Sequence, residues 1–272
     1  MHSLVYHNKL FYKHLTFGTA IAIYRSKDSR SQIMEDLRNR LNAIDGGKIL
    51  DVASGSGEFI HTLNHILHDF ENITGIDKSN KAVFEGKNEF KDNEKVAFQR
   101  MDAYKMRFED TTFDTVSISN SLHHFNDIKD VLNEMNRVLK PGGYFLINEM
   151  CCDEDQTEAQ KNHILLHHWW AKVDSCFGSV HNSTYTKKQM ETFIEELELD
   201  NLEIFEYAFP VENPKDENLT RKYLASIDPY IDPLKDKPEY KRLKEESEMI
   251  KQRIKEYGFA PARSVFFIGK KK

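Results

Sequence analysis

The sequence predicts an α/β protein built on a doubly wound, mostly parallel β-sheet, and three observations predict this class. Between residues 48 and 149, short apolar strand patterns alternate with helical patterns. The first strand runs directly into a glycine-rich turn. Residues 202–209 and 264–268 form two further strand patterns. Parallel strands need a crossover of about a dozen residues, which the intervening helices supply.

The elements of the alternating region follow in a regular order. Each strand is a short apolar run, and each helix has apolar residues three and four positions apart. A helix at 31–44 comes first and ends at Gly46-Gly47. The predicted strands are residues 48–52, 73–76, 96–101, 113–118 and 144–149, and the predicted helices between them are residues 59–70, 81–90 and 128–139.

The alternation stops after residue 150. Helices are predicted at 156–177, 186–197 and 240–257, the last inside a charged stretch that is long for a connection in a compact domain. We therefore expect functional insertions around one core. The predicted divisions are an N-terminal helical cap (1–45), a core (46–210) with a helical insertion at about 153–180, a helical insertion or lid (211–261), and a last core strand with a basic tail (262–272).

Charge and hydropathy exclude several classes of protein. The 272 residues include 38 Lys and Arg against 44 Asp and Glu, a net charge of −6. This balance argues against non-specific nucleic-acid binding, which relies on basic patches. No apolar stretch reaches the ~20 residues of a transmembrane helix, so we expect no membrane contact. The three cysteines indicate no disulfide framework, and we expect a cytoplasmic location.

The glycine-rich turn, residues 51–57, reads DVASGSG and lies where a buried strand becomes a helix. Glycines at such a point let the backbone approach a ligand closely, and the N–H groups of the following helix point at that ligand. Asp77 ends the second strand 20 residues after Gly57, the spacing of an acid that grips ribose hydroxyls. A dinucleotide and an adenosyl ligand both fit these two features.

Three residues favour the adenosyl ligand. Ile60 occupies the third glycine position of a dinucleotide fingerprint and would crowd a pyrophosphate. Asp51, just before the glycines, would repel phosphates but suits a cationic amino group. Asp102, at the end of the third strand, can accept a hydrogen bond from an adenine amino group. An adenine, a ribose and a charged amino-acid end fit these acids better than a dinucleotide does.

A family resemblance rests on motifs in order. LDVASGSGEF, GID, MDA, FDTVSISNSLHHF and VLKPGGYFLINE, between residues 48 and 149, resemble the successive motifs of class I S-adenosylmethionine-dependent methyltransferases. The resemblance implies a Rossmann-like, seven-stranded sheet that is mostly parallel and ends in an antiparallel hairpin, with S-adenosylmethionine as cofactor. One departure is Ala53, which replaces the usual first glycine. Alanine fits there if its φ is negative.

The resemblance also implies cofactor contacts by position. Asp51, Gly55 and Gly57 would line the methionine part of the cofactor. Asp77 would bind the ribose, and Asp102 with Ala103 would meet the adenine. Two residues after the fourth strand would lie near the methionine carboxylate and the sulfonium. In chain order these cofactor-binding candidates are Asp51, Ala53, Gly55, Ser56, Gly57, Asp77, Lys78, Asp102, Ala103, Ser119 and Asn120.

Histidines are the candidates for a general base. His123 and His124 follow the fourth strand, where the methyl group should point. The pair either packs or caps a turn, or brings His124 into contact with the substrate. A general base is needed only if the methyl acceptor must lose a proton, because the sulfonium methyl donor is already activated.

The predicted helix at 156–177 carries a polar stripe. At about 100° per residue, His163, His167 and Asp174 share one edge of the apolar face, with Trp170 beside them. Three interpretations stay open: a solvated edge, the wall of an acceptor pocket with His167 as base and Trp170 as wall, or a metal site with His181 as the candidate for a further ligand. We take His124 and His167 as catalytic candidates, His163 and Trp170 as substrate contacts, and assign no metal ligand.

The functional hypothesis is a methyltransferase that acts on a small-molecule acceptor, because the predicted caps are aromatic and rich in histidine. Two alternatives are a non-catalytic partner protein that binds S-adenosylmethionine, and an RNA or protein methyltransferase. We expect no nucleic-acid partner, and a homodimer surface is the alternative to a lid for residues 211–261.

Overall fold

The computed structural model of the protein describes residues 29–272, so the short helices predicted within residues 1–26 lie outside the described residues. Seven strands and a set of helices follow one another, and two short 3₁₀ turns (Leu122–His124 and Asp232–Leu234) interrupt them. The strands are β1 (Lys48–Val52), β2 (Asn72–Asp77), β3 (Val96–Arg100), β4 (Phe113–Ser119), β5 (Leu139–Met150), β6 (Asp200–Tyr207) and β7 (Ser264–Lys270). The helices are α1 (Ser29–Asn42), α2 (Glu58–Ile66), α3 (Asn80–Glu89), α4 (Ile128–Val138), α5 (Glu158–Ser175), α6 (Lys187–Glu195), α7 (Glu217–Ile231) and α8 (Tyr240–Tyr257).

The strands form one sheet in the order β3-β2-β1-β4-β5-β7-β6. The pairs from β3 through β5 are parallel, whereas β7 inserts between β5 and β6 and is antiparallel to both. The predicted Rossmann-like class with a terminal antiparallel hairpin is therefore confirmed. The strand order reverses between β1 and β4, which makes the carboxyl ends of these strands the switch point where ligands of such sheets bind.

Two apolar layers cover the sheet, because successive strand residues point to opposite faces. Leu50 lies in the layer that α4 and α6 complete, and its neighbour Ile49 lies in the layer beneath α1, α2 and α3. Both side chains are fully buried. This double burial explains why the parallel strands read as continuous apolar runs.

A third apolar cluster joins α5, α7 and α8, the helices of the two insertions. Trp169 of α5 is buried there and donates its indole N–H to the Leu243 carbonyl at 2.8 Å. The buried Asn162 amide donates to the carbonyls of Arg253 and Gly258, at the end of α8. The two insertions therefore pack into one body, which we call the cap (158–175 and 217–257). No helix within residues 29–272 has both the length and the apolarity that crossing a membrane requires.

Candidate active site at the carboxyl ends of the strands

Asp77, at the end of β2, fastens the glycine turn that follows β1. Its Oδ2 atom accepts the N–H of Gly55 at 3.0 Å, and its Oδ1 atom accepts the N–H of Ser79 at 2.8 Å. Ser79 in turn caps α3 through its side chain. The predicted ribose acid and the predicted glycine turn are thus one hydrogen-bonded unit, with Ser56 half-buried inside the turn and Lys78 exposed beside Asp77.

The two glycines of the turn serve different purposes. Gly55 has φ +57°, and a Cβ built there meets no described atom within 4 Å. Gly57 has φ +94°, and a Cβ built there would lie 2.6 Å from the Phe90 ring and 2.7 Å from the Phe98 ring. Gly55 therefore leaves open space above the turn, which a cofactor needs, whereas Gly57 lets the turn pack on the aromatic core.

Ile60 stands where a dinucleotide-binding turn carries its third glycine, and the structure shows what compensates for it. The Ile60 Cδ1 atom lies 2.8 Å from the position that a Cβ on Gly75 of β2 would occupy. Helix α2 thus packs closely on the sheet because the glycine lies on the strand instead of on the helix.

Ala53 adopts φ +54°, so the condition under which alanine was expected to fit, a negative φ, is not met. The left-handed region costs a non-glycine residue about 1–2 kcal/mol, because Cβ crowds the following carbonyl. Asn120, after β4, has φ +47° and donates its N–H to the Asn148 carbonyl at 2.8 Å. Both backbone turns that border the switch point are therefore in the left-handed region.

Asp51 is fully buried at the end of β1. The Ser117 hydroxyl donates to its Oδ1 atom at 2.7 Å, while its Oδ2 atom has no hydrogen-bond partner among residues 29–272. Burial raises the pKa of Asp51 to about 7, with a smaller contribution from the negative charge of Asp77. A buried carboxylate oxygen without a donor favours a cationic ligand, which would restore the ionised form.

The region expected to meet adenine follows β3. Asp102 is exposed and accepts the N–H of Tyr104 at 3.0 Å, while Ala103 is buried. The Tyr104 hydroxyl accepts the N–H groups of Asn126 and Asp127. Tyr104, which the sequence analysis did not single out, therefore ties the loop after β3 to the loop after β4.

The loop after β4 rests on polar residues of β5. The side-chain Nδ2 atom of Asn148 donates to the Ser119 hydroxyl at 2.9 Å, and the Tyr207 hydroxyl donates to the Oδ1 atom of Asn148 at 2.6 Å. Glu149 is fully buried, and its Oε2 atom accepts the N–H of Leu122 at 2.9 Å. Burial raises the pKa of Glu149 to about 7. Sequence reasoning missed Glu149, although a charged residue inside an apolar strand was a signal for it.

Four histidines meet next to this loop: His123, His124, His167 and His181. The His124 ring centroid lies 4.3 Å from that of His123 and 4.5 Å from that of His181. His167 of α5 lies 4.7 Å from His123 and 4.9 Å from His181. The two catalytic candidates, His124 and His167, are thus brought into one cluster, and His181 belongs to it as well.

The polar stripe of α5 is not a solvated edge, because His163, His167 and Asp174 are all buried. His163 accepts the N–H of Ala262 at 3.0 Å and contacts the Phe259 ring, so it supports the segment before β7. Burial lowers the pKa of His163 to about 4. Trp170 is buried in the apolar cluster of the cap.

The residues at the switch point suit S-adenosylmethionine. The Oδ2 atom of Asp51 offers a place for an ammonium group, and Gly55 leaves the space that the ligand backbone would fill. Asp77 is the last residue of β2 and Asp102 follows β3, so both lie at the carboxyl ends of neighbouring parallel strands. No pyrophosphate-binding turn is needed for such a ligand.

Comparison with known proteins identifies the segment that builds this edge. Residues 50–147 match the family model described as a methyltransferase domain. The demethylmenaquinone methyltransferase of Staphylococcus aureus is 35% identical over 131 residues, which is 48% of this chain and 53% of that protein. The chain therefore spans about half the length of the curated relatives that it matches.

Solved structures extend the likeness to the whole fold. The YcgJ protein of Bacillus subtilis superposes with a TM-score of 0.58 over 89% of this chain and 98% of that chain, at 17% identity. Phosphoethanolamine N-methyltransferase 2 of Haemonchus contortus, solved with S-adenosylhomocysteine, gives a TM-score of 0.53 over 88% of this chain and 52% of that chain, also at 17% identity. Residues 50–147 therefore match a methyltransferase domain, and the fold that contains them is shared with these solved structures.

Proposed function

We propose that the protein transfers a methyl group from S-adenosylmethionine to a small-molecule acceptor. The observation that carries the proposal is the buried Asp51 carboxylate, whose Oδ2 atom has no donor within the described chain. It lies inside the segment that matches the methyltransferase family. A cationic amino-acid end is the ligand that such an oxygen favours.

The proposed cofactor-binding residues would hold and orient S-adenosylmethionine. Asp51 would pair with the ammonium group, and the turn from Ala53 to Gly57 would border the methionine part. Asp77 would bind the ribose hydroxyls through the lone pairs that Gly55 and Ser79 leave free. Asp102 and Ala103 would contact the adenine, and Ser119 and Asn120 the carboxylate end. When bound, S-adenosylmethionine supplies an activated methyl group, so orientation alone contributes on the order of 7–11 kcal/mol.

His124 is the proposed general base. Its Nδ1–H donates to the Val180 carbonyl at 3.3 Å, which leaves the lone pair on Nε2. Burial lowers the pKa of His124 well below its ordinary value, so the ring is neutral at pH 7. His124 can therefore take a proton from an acceptor without first losing its own.

The small-molecule class is supported by the cap and by one relative. Residues 211–261 connect β6 to β7 and pack on α5, and we propose that they act as a lid over the acceptor. The Staphylococcus aureus relative is named for a small-molecule acceptor. The alternative for residues 211–261, a homodimer surface, stays a prediction that light scattering tests.

Calorimetry with S-adenosylhomocysteine tests the cofactor proposal, and we expect one binding site per chain that Asp51→Ala abolishes. A methyl-release assay then tests a panel of quinols, amines, phenols and thiols. Turnover with one of them supports the proposal. Binding without turnover on any acceptor indicates the non-catalytic partner protein, and turnover on RNA or protein alone indicates the third class.

A further inference from the structure

Three buried histidines from separate parts of the chain converge beside the loop that follows β4. One ring nitrogen from each of His123, His167 and His181 lies within 4.8 Å of the others. The exposed fractions of these side chains are 3%, 5% and 3%. His123 belongs to the turn after β4, His167 to α5 and His181 to the segment before α6, so only the folded chain assembles the group.

Two nitrogens of this group lack hydrogen bonds. The Nδ1 atom of His167 and the Nε2 atom of His181 are buried and find no partner in residues 29–272. Leaving a buried polar atom unsatisfied costs about 1–3 kcal/mol. Two such atoms in one cluster indicate that a ligand completes it.

Two of the three histidines are hydrogen-bonded to carboxylates. The Nδ1–H of His123 donates to Glu149 at 3.2 Å, and that of His181 donates to Asp174 at 2.7 Å. Histidines that bind metals usually donate their other ring N–H to a carboxylate, which fixes the tautomer and the ring orientation. Both rings therefore carry the lone pair on Nε2.

The chemistry of the donors selects the class of ion. Imidazole nitrogens suit Zn²⁺ and related first-row ions, whereas Mg²⁺ and Ca²⁺ require oxygen ligands. Tetrahedral Zn–N bonds of about 2.0–2.1 Å place the ligand nitrogens roughly 3.3 Å apart. The three nitrogens, which lie within 4.8 Å of one another, would therefore approach by up to about 1.5 Å.

We propose that His123, His167 and His181 bind a divalent first-row transition-metal ion of the Zn²⁺ type. Three protein ligands leave one position of a tetrahedral ion open, the arrangement of catalytic zinc sites. That position takes water or, as an extension that rests on the proposed function, a nitrogen, oxygen or sulfur atom of the methyl acceptor. Metal binding itself does not depend on methyl transfer. The metal site considered from the sequence comprised His163, His167 and Asp174, with His181 as a further candidate. The observed group keeps His167 and His181 and has His123 in place of His163 and Asp174.

Titration of the chelator-treated 272-residue protein with ZnCl₂ tests the site, with metal content measured by mass spectrometry. We expect one ion per chain. His181→Ala and His167→Ala each lower Zn²⁺ affinity by about 100-fold or more, and Asp174→Asn, which disturbs the carboxylate behind His181, lowers it by about 10–100-fold. The matched control is His68→Ala, since His68 is exposed and remote from the group, and it leaves the affinity unchanged.

Absence of stoichiometric Zn²⁺ binding by the wild type overturns the proposal, as does unchanged affinity in both histidine variants. Circular dichroism establishes that each variant is folded. Should the alanine variants unfold, the Co²⁺ spectrum of the wild type decides: tetrahedral ligand-field bands support the site, and an aquo-ion spectrum contradicts it. Calorimetry with S-adenosylhomocysteine separates the two proposals, because its binding in the absence of Zn²⁺ binding overturns the metal site alone.

Discussion

The Oδ2 atom of Asp77 accepts the N–H of Gly55 at 3.0 Å, so the acid expected to bind the ribose also holds the turn expected to border the methionine. Asp77→Asn replaces one acceptor oxygen with a donor that faces a backbone N–H. We expect S-adenosylhomocysteine affinity to fall by about tenfold to 100-fold, since hydrogen bonds to charged groups contribute about 1.5–3 kcal/mol. Calorimetry measures the affinity and urea denaturation the stability.

The matched control for Asp77 is Asp114, which accepts the N–H of Lys48 at 2.9 Å. This pair lies at the amino ends of β1 and β4, away from the carboxyl ends that form the candidate site. Asp114→Asn should lower the free energy of unfolding without changing S-adenosylhomocysteine affinity. Equal losses of affinity in the two variants would contradict a direct role for Asp77 in binding.

Alanine substitutions at Gly55 and Gly57 should have different effects, one mainly on cofactor affinity and the other mainly on stability. Gly57→Ala brings Cβ within 2.7 Å of two phenylalanine rings, so we expect a loss of about 3 kcal/mol or more of unfolding free energy. Gly55→Ala meets open space and should cost only about 1–2 kcal/mol for its left-handed φ. Cofactor affinity should nevertheless fall more in folded Gly55→Ala. Urea denaturation and calorimetry compare the two, and the reverse order of stabilities would refute this assignment.

Ala53 stores backbone strain, so Ala53→Gly should stabilise the fold. Relief of the left-handed alanine returns about 1–2 kcal/mol, and the greater unfolded-state entropy of glycine removes about 0.5–1 kcal/mol. The net gain is on the order of 0.5–1 kcal/mol in urea denaturation. Ala103→Gly is the control: Ala103 is buried but has no positive φ, and the substitution should destabilise. A destabilised Ala53→Gly variant would mean that other contacts of the methyl group outweigh the strain.

Asp51 makes stability depend on pH. Its folded-state pKa of about 7 lies above the value of 3.8 for an unperturbed Asp, so the folded protein keeps a proton that the unfolded chain loses. The contribution of Asp51 to the free energy of unfolding is therefore full below about pH 4 and falls as pH rises to about 7. Glu149 adds a slope of the same sign, whereas the buried histidines, whose pKa values are lowered, add slopes of the opposite sign. The test is therefore the difference in unfolding free energy between the wild type and Asp51→Asn, measured by urea denaturation, which should shift in favour of the variant as pH rises from about 4 to 7.

The same carboxyl couples proton release to cofactor binding. An ammonium group beside Asp51 favours the ionised form, so S-adenosylhomocysteine binding below pH 7 should release a proton from the wild type. Calorimetry at pH 6 in two buffers of different ionisation enthalpy measures the release. The Asp51→Asn variant should show less release, and an unchanged value would exclude Asp51 as its source.

His124→Ala should lower kcat on the acceptor that the panel identifies by about 100-fold or more, because general-base catalysis contributes about 10²–10⁴-fold. Affinity for S-adenosylhomocysteine should stay unchanged. The control is His65→Ala, an exposed histidine of α2. An unchanged kcat in His124→Ala would show that the acceptor reacts without this base.

The core was predictable because its signals are local. Strands buried on both faces read as apolar runs, and α8 was predicted at 240–257, its observed bounds. Helix α7 was missed because it contains Pro229, which reads as a helix breaker, although Asp216 caps its start. A proline near the end of a helix is tolerated where packing outweighs the lost hydrogen bond.

The candidate site was predictable only in part. The acids of β1, β2 and β3 follow from strand ends, whereas the burial of Asp174 depends on Tyr230 of the missed helix, whose hydroxyl donates to it at 2.7 Å. His181 and Glu149 acquire their surroundings from segments far apart in the chain. The positive φ of Ala53 depends on the geometry of the whole turn, because an alanine in a sequence does not by itself indicate a left-handed conformation.

The series Tyr230–Asp174–His181 runs from helix α7 to the histidine group. Hydrogen bonds that share one carboxylate are energetically coupled. We therefore expect occupancy of the histidine group and local opening of α7 to be linked, so that an ion bound by His181 slows amide hydrogen exchange in α7. Amide exchange in helix α7 of the cap should therefore report whether the histidine group is occupied.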